Sequence, residues 1–428
     1  MTAIKLGGSS SKDYGVSTYK TGVATAARKN DKGMYPDAFC KINPMRGVPG
    51  WVEFMHADGA GTKIILAYLY WRETGDMSVW RDIVQDSIVM NLDDVACAGG
   101  MTGWLMLASG LNRNTYRLPD ETGVLDAMFE GENIFLGRMR EYGIDIIGQC
   151  GETADVPDGT PTKLLDNTLH CRMQEKNVIK GDIDVGHYIV GFRSYGPPTK
   201  WEDSYNGGLG SNGLTPTRHG SLSKMYRWKY PESYDKIMDG KYWWLARLNG
   251  LLDSRGLHFK DKFKSYRGTM TLTQPIEVET GEKIPFGKLA LSPTRTFAPV
   301  MKALHEAGFG PEQISAAIHN SGGGQTKVLT KLSKPVAVVK NNMFPVPKLI
   351  EVIMETAGIG WQKALQDFNM GSRFELYVRS LSDANQVVKI SESMGVPAKI
   401  IGMVEKTSRT EPALYITNQH GRLFEYTR

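Results

Sequence analysis

Glycine-rich turns divide the first 180 residues into short apolar strands and longer helical runs. Residues 51–56 read as a strand, and the turn at 58–63 leads into a helix that begins near Ile64. A second helix follows a predicted cap at Ser78, with apolar residues at spacings of three and four until two glycines end it. This alternation predicts a mixed α/β domain of the α+β type, in which helices cover one side of a sheet.

A second series of elements begins after residue 186, and the chain of 428 residues is long enough for two domains. We therefore place a domain boundary within 178–186 and divide the chain into units 1–180 and 181–428. The second unit is expected to contain strands near 187–192, 316–318, 373–378 and 399–404 and helices near 293–307, 347–357 and 383–394.

An insertion at about 224–283 contains the basic segment 224–267, which has 11 Lys/Arg and 5 Asp/Glu. Aromatic residues, including Trp228, Trp243 and Trp244, alternate with these cations. That composition occurs on surfaces that bind single-stranded nucleic acid. The cations have no repeating spacing, so we favour a solvated insertion whose aromatic residues pack on the body of the protein, and we expect no nucleic-acid partner.

The apolar runs are short, and the longest, such as 64–69, falls far below the roughly 20 residues that cross a bilayer. No apolar signal-peptide core follows Met1. The four cysteines form no CxxC pair, which argues against a zinc knuckle or a thioredoxin-type centre. We expect a cytoplasmic protein with reduced thiols and no membrane contact.

Two consecutive carboxylates, Asp93 and Asp94, stand near the C-terminal end of the second predicted helix. The helix dipole disfavours acidic side chains there by about 0.3 to 1 kcal/mol each, so something should compensate them. A divalent cation would do so, and Mg²⁺ prefers one or two carboxylates together with substrate phosphates. The alternative is that both acids are solvated at a frayed helix end.

The turn Asp58-Gly59-Ala60-Gly61-Thr62-Lys63 lies between a strand and a helix. Its backbone amides can point at an anion at the helix N-terminus, where Lys63 would add a positive charge, so we interpret it as a phosphate-binding turn. The glycines could equally serve tight turn geometry alone. A further acidic turn at 151–155 could bring Glu152 to the same strand ends, or could be a plain surface turn.

Seven segments taken in order are more specific than any one of them, and together they resemble the aminoimidazole ribonucleotide (AIR) synthetase family of purine biosynthesis. The resemblance covers roughly residues 51 to 404. The segments are 58–63 (DGAGTK), 90–95 (MNLDDV), 151–154 (GETA), 210–213 (GSNG), 291–295 (LSPTR), 321–324 (SGGG) and 368–371 (FNMG).

The resemblance implies an enzyme that uses ATP and Mg²⁺ to close the imidazole ring of formylglycinamidine ribonucleotide. Such phosphoryl transfer asks a protein mainly for positioning and charge neutralisation. It also implies two domains with the active site in the cleft between them, and a homodimer joined through the N-terminal sheet. The alternatives are a formylglycinamidine ribonucleotide synthetase subunit or another ATP-dependent member of the same superfamily.

The resemblance also implies roles for individual residues. Lys63, Asp94 and His319 are the expected catalytic residues. The expected nucleotide contacts are Asp58, Gly59, Gly61, Thr62 and Lys63; the expected metal ligands are Asp58, Asp93, Asp94 and Glu152; and the expected substrate contacts are Ser211, Asn212, Gly322, Gly323 and Gly324.

The chain departs from the family pattern at three places. Gly210 stands where many members have a histidine, and His219 could replace that histidine or be structural. Cys150 precedes Gly151 where a glycine pair is usual. The N-terminal Tyr-Lys signature appears only as Tyr19-Lys20-Thr21-Gly22-Val23, without its acidic continuation.

Overall fold

The computed structural model describes residues 3–16, 32–148, 151–242 and 263–428. The signature at 19–23, Cys150, Trp243 and Trp244 lie outside the described residues. The described chain forms two main sheets with helices packed on them, so the predicted mixed α/β class is confirmed.

The first sheet has six strands in the order β2-β3-β7-β4-β5, with β6 pairing with β4. Its strands are β2 (Asn43–Pro44), β3 (Trp51–Gly59), β4 (Trp104–Arg113), β5 (Ile146–Gly148), β6 (Glu152–Asp155) and β7 (Lys163–Gln174). Three helices accompany it: α1 (Lys63–Thr74), α2 (Ser78–Cys97) and α3 (Val124–Glu141). Helix α2 packs on β3, β7 and α3, so the apolar spacing read from the sequence does mark a buried face.

The second sheet has eight strands in the order β1-β16-β15-β12-β14-β8-β13-β11. They are β1 (Ile4–Lys5), β8 (Tyr188–Arg193), β11 (Ile314–His319), β12 (Val336–Lys340), β13 (Ser372–Val378), β14 (Ala398–Lys406), β15 (Ala413–Thr417) and β16 (Leu423–Thr427). The helices that follow the first unit are α4 (Met225–Lys229), α5 (Phe286–Ala290), α6 (Ala298–Glu306), α7 (Lys348–Ala357), α8 (Trp361–Asp367) and α9 (Leu381–Ser393). A separate hairpin joins β9 (Pro275–Glu277) to β10 (Lys283–Pro285).

The chain changes from one sheet to the other between Gln174 and Tyr188. The first residues depart from the predicted unit 1–180, because Ile4 pairs with Tyr426 in the second sheet. The hydroxyls of Ser10 and Ser11 then donate to the buried carboxylate of Asp367, at 2.5 and 2.6 Å. These contacts hold residues 4–14 on the second unit.

Aromatic residues in the described part of the basic segment face the protein interior. Tyr226, Tyr230 and Tyr234 are buried, and Tyr266, fully buried, lies 6.1 Å from Tyr226 and 5.7 Å from Tyr234 between ring centroids. Trp228 is half exposed. Buried rings cannot stack on bases, so this packing favours the interpretation of a structural insertion over a nucleic-acid surface.

Candidate active site at the junction of the two sheets

Helix α2 carries Asp86, Met90, Asp93 and Asp94 along one side, because residues three, four and seven apart share a helix face. Each of the four contacts a segment of the second unit, at 211, 292–297, 319–321 or 373. Polar residues that are far apart in the sequence therefore meet along this one helix.

Asp93 is fully buried and forms an ion pair with Arg373, whose Nη2 lies 3.1 Å from its Oδ2. Its Oδ1 accepts from the hydroxyl of Thr296 at 2.7 Å and from the backbone N–H of Phe297 at 3.1 Å. These donors supply the compensation expected at a helix C-terminus. Both oxygens of Asp93 thus face groups of the protein itself, and its role as a metal ligand stays a prediction.

Asp94 accepts hydrogen bonds from two histidines, one in each unit. Its Oδ1 lies 2.5 Å from Nδ1 of His319, and its Oδ2 lies 2.9 Å from Nε2 of His56. Burial acts to raise the pKa of Asp94, but His319 and His56, which both donate to the carboxylate, hold that pKa well below its ordinary value. About one-eighth of the Asp94 side chain remains exposed, so the carboxylate borders solvent.

The two histidines differ in the group that faces their second ring nitrogen. Arg373 can only donate, and its Nη1 lies 2.6 Å from Nε2 of His319, so that nitrogen accepts and the Nδ1 of His319 donates to Asp94. His56 faces acceptors on both sides, because its Nδ1 lies 3.1 Å from the amide oxygen of Asn91. Burial opposes the charged form, yet hydrogen bonding to Asp94 raises the pKa of His56.

Lys63 begins α1, but its ammonium points into the protein. Its Nζ donates to Oδ1 of Asp86 at 2.6 Å and to the backbone oxygen of Ser292 at 2.7 Å, and both charged side chains are fully buried. Asp86 also accepts from the backbone N–H of Thr294 and the hydroxyl of Ser211. Lys63 thus joins α1 to α2 through Asp86 and to the second unit through Ser292. Its contact with a nucleotide phosphate stays a prediction.

The turn at 58–62 stands at the end of β3, where strand pairing aligns several acidic residues. Gly59 pairs with Asp166 on β7, Asp166 pairs with Gly110 on β4, and Gly110 pairs with Glu152 on β6. A Cβ at Gly59 would collide with the backbone oxygen of Leu165 and the Asp166 carboxylate, so tight geometry does require glycine here.

Asp166 is a candidate that sequence reasoning missed. It is exposed, and partial burial together with the nearby charge of Asp58 raises its pKa. Only the strand register places Asp166 beside Gly59. The sequence therefore indicates Asp166 as a candidate only after β3 and β7 have been paired. Exposed carboxylates of Asp58, Glu152 and Asp166 thus share this sheet edge.

The structure brings two of the predicted substrate segments together. The side-chain nitrogen of Asn212 donates to the hydroxyl of Ser321, whose oxygen lies 3.1 Å from the Met90 sulfur on α2. Three successive glycines follow, with φ values of +71°, +127° and +53°, a region that disfavours other residues. Backbone N–H groups in such conformations can form a concave anion site.

His219 does not reach this junction. It is completely buried, with its ring centroid 5.5 Å from that of Tyr14 and 5.0 Å from that of Tyr266. The ring of His219 is stacked on Tyr14 and tilted against Tyr266, and these contacts give no support to its replacing the histidine missing at Gly210.

Within the described ranges, no three Asp, Glu, His or Cys side chains converge closely enough to hold a metal ion by themselves. A separate cleft of about 610 Å³ lies between α2, α3 and the segments 202–206 and 282–293, and none of the predicted site residues lines it. Of the helices in the described part of the chain, none is long and apolar enough to cross a membrane.

Comparison with known proteins decides the family. A family model described as AIR synthase related protein, N-terminal domain, matches residues 45–168. A phosphoribosylformylglycinamidine cyclo-ligase from Bacillus pumilus is 32% identical over 358 residues, covering 82% of this chain and 79% of the relative. The chain belongs to the AIR synthase related family.

More distant matches span most of the chain. A phosphoribosylformylglycinamidine cyclo-ligase from Methanococcus vannielii is 23% identical over 407 residues, covering 92% of this chain and 91% of that protein. The solved structure of AaThiL complexed with AMPPCP and TMP is 12% identical, with a TM-score of 0.48, and covers 92% of this chain and 93% of that one. Membership of the AIR synthase related family agrees with the resemblance seen in the seven sequence segments.

Proposed function

We propose that the protein closes the imidazole ring of formylglycinamidine ribonucleotide with ATP, producing 5-aminoimidazole ribonucleotide, ADP and phosphate. The observation that carries this proposal is the meeting of polar segments from both units along α2. Relatives from Bacillus pumilus and Methanococcus vannielii that bear the cyclo-ligase name support it. A ring closure needs two ligands held together, and a junction between two units offers surfaces for both.

In the proposed reaction the formyl oxygen attacks the γ-phosphorus of ATP, and ADP leaves. The amidine nitrogen then attacks the activated formyl carbon, phosphate departs with the former formyl oxygen, and a proton is lost as the ring forms. Because charge moves onto phosphate oxygens, the protein contributes chiefly by orienting both ligands and by placing donors around those oxygens.

The turn at 58–62 is the proposed nucleotide contact, with backbone N–H groups near Gly59, Gly61 and Thr62 facing the phosphates. Magnesium, when bound, neutralises phosphate charge, and oxygen ligands are the kind it prefers. The exposed carboxylates of Asp58, Glu152 and Asp166 fit that requirement, with Asp94 as a further oxygen donor at the solvent border.

His319 and Lys63 act in this proposal as positioning residues. His319 receives a hydrogen bond from Arg373 and gives one to Asp94, so it fixes the orientation of that carboxylate. Lys63 ties α1 to α2 through Asp86 and to the second unit through Ser292. Ser211, Asn212 and the glycines at 322–324 are the proposed contacts of the phosphoribosyl substrate.

We also propose a homodimer formed through the outer face of the first sheet. On that face Trp104, Met55 and Ile147 are 68%, 63% and 44% exposed. Large apolar side chains gathered on one sheet face mark an interaction surface. A second copy presenting the same face would cover them.

One assay separates the proposed reaction from that of the related synthetase. The protein is incubated with ATP, Mg²⁺ and formylglycinamidine ribonucleotide, and the aminoimidazole product is sought by mass. We expect ATP hydrolysis to depend on the amidine. Hydrolysis that instead depends on formylglycinamide ribonucleotide with ammonia would assign the synthetase reaction.

A further inference from the structure

Arg218 is a buried arginine for which the described part of the chain offers no carboxylate partner. It lies in the π-helical turn Thr217–Ser221 and is only 4% exposed. Its Nη2 lies 3.0 Å from Nε2 of His219, while its Nε and Nη1 meet no acceptor within the described ranges. A guanidinium stays charged in proteins, so burial cannot be relieved by losing a proton.

The groups around Arg218 are cationic or neutral. Since Arg218 can only donate, His219 accepts at Nε2 and carries its proton on Nδ1, which also meets no acceptor in the described chain. Burial first, and then the charges of Arg218, Arg227 and Arg267, hold the pKa of His219 well below its ordinary value. The cluster therefore combines positive charge with donors that lack acceptors.

Two other buried arginines of the described chain each lie beside a carboxylate. Arg295, 1% exposed, has its Nη2 2.7 Å from the carboxylate of Glu202 and also donates to several backbone carbonyls. Arg373, 2% exposed, pairs with Asp93. Leaving a buried charge uncompensated is costly, so the contrast at Arg218 calls for an anion.

Two residues that precede Arg218 contact the proposed site. Three residues earlier, the hydroxyl of Thr215 lies 3.1 Å from that of Thr62 in the proposed nucleotide turn. Before it, Asn212 contacts Ser321 beside the glycine run. Arg218 therefore closely follows two residues that contact the proposed nucleotide turn and the glycine run.

We infer that Arg218 binds a phosphate group of a ligand through the guanidinium nitrogens that lack protein acceptors. Several oxygens on one phosphate match the several N–H donors of a guanidinium better than a neutral group does. This inference rests on the proposed function for the source of the phosphate, which is either the polyphosphate of ATP or the 5′-phosphate of the ribonucleotide.

The test compares Arg218→Met with wild type and with Arg422→Met, which removes a charge that lies over the Phe424 ring far along the chain. ATP and formylglycinamidine ribonucleotide are titrated separately by calorimetry, and inorganic pyrophosphate serves as a third probe. Thermal midpoints are recorded without ligand. Arg218→Lys, which keeps the charge but loses the planar fork, is the second variant.

We expect Arg218→Met to weaken at least one phosphate probe by tenfold or more and to keep or raise the ligand-free midpoint. Loss for ATP alone assigns the polyphosphate, and loss for the ribonucleotide alone assigns the 5′-phosphate. The affinity of Arg218→Lys for these probes should lie between that of wild type and that of Arg218→Met. The affinity of Arg422→Met should match that of wild type.

Unchanged affinity of Arg218→Met for all three probes would overturn the inference. So would a lower ligand-free midpoint, or a variant that fails to fold, because either shows that the charge is already compensated within the protein. A wild type that binds pyrophosphate through Arg218 but does not form the aminoimidazole would refute the proposed function and leave this site standing.

Discussion

His56 and His319 hold the same carboxylate, that of Asp94, from opposite units. The Nε2 of His319 faces Nη1 of Arg373, which can only donate, whereas the Nδ1 of His56 faces the amide oxygen of Asn91. A chain of polar contacts therefore runs from His56 through Asp94, His319 and Arg373 to Asp93. Asp94 is thus part of the packing between units as well as a candidate ligand.

Replacing Asp94 by asparagine should lower stability. An amide offers one acceptor oxygen where two histidines now donate, so one buried donor loses its partner at a cost of about 1 to 3 kcal/mol. The measurement is the free energy of unfolding in urea without nucleotide. Asp58→Asn is the matched control, since Asp58 is exposed and should affect only ATP turnover. An Asp94→Asn protein as stable as wild type would show that the histidines do not depend on this carboxylate.

Lys63 and Asp86 should depend on each other for their contributions to the free energy of unfolding. Either Lys63→Met or Asp86→Asn leaves a buried polar partner uncompensated, and such changes cost about 3 to 5 kcal/mol. The double variant should lose clearly less than the sum of the two single losses. Urea unfolding of all four proteins gives the coupling energy. Additive losses would mean that the 2.6 Å contact contributes no specific interaction.

Asp82 in the 610 Å³ cleft should make stability fall as pH rises from about 4 to 6. Burial raises the pKa of Asp82 to about 6, although the nearby charge of Lys288 acts to lower it. The folded protein therefore binds more protons than the unfolded chain in that pH window. Asp82→Asn should therefore raise the thermal midpoint at pH 7.5 and change it little at pH 4. Lys288 keeps its partner Asp76 at 3.2 Å in the variant. The exposed Asp158→Asn should show no such pH dependence; an equal response from both would contradict the assignment to burial.

The sequence located Asp93 and Asp94 correctly at the end of a helix, because apolar spacing and two glycines are local signals. Their partners His319 and Arg373 lie more than 220 residues away, and only the folded chain brings them to α2. Donors of the protein itself therefore compensate both carboxylates, alongside any cation that binds there. A dipole argument shows that compensation is needed but not which group provides it.

Long-range pairing explains the other differences. The glycine turn at 58–62 was recognisable from its spacing, yet the direction of Lys63 depends on Asp86, which the helical pattern alone does not relate to it. Asp166 becomes a candidate only through its register with Gly59. Likewise, Ile4 joins the second sheet because Tyr426, at the other end of the chain, offers it an edge.

Replacing Trp104 by glutamate should convert the proposed dimer to monomers. Trp104 is 68% exposed on a face it shares with Met55 and Ile147. A glutamate at this position would lose its water when two copies associate, and it would lie close to the same glutamate of the second copy. Because the Trp104 side chain is largely exposed in the single chain, the substitution should leave the stability of the folded monomer nearly unchanged. At low protein concentration the thermal midpoint of the variant should therefore stay close to that of the dissociated wild type. Sedimentation equilibrium across a concentration series is the measurement.

Tyr116→Glu is the control, since Tyr116 is 88% exposed in the same unit, lies outside the strands and should leave the dimer intact. A wild type that is monomeric at all concentrations, or a Trp104→Glu protein that associates as wild type does, would show that this apolar face serves another purpose.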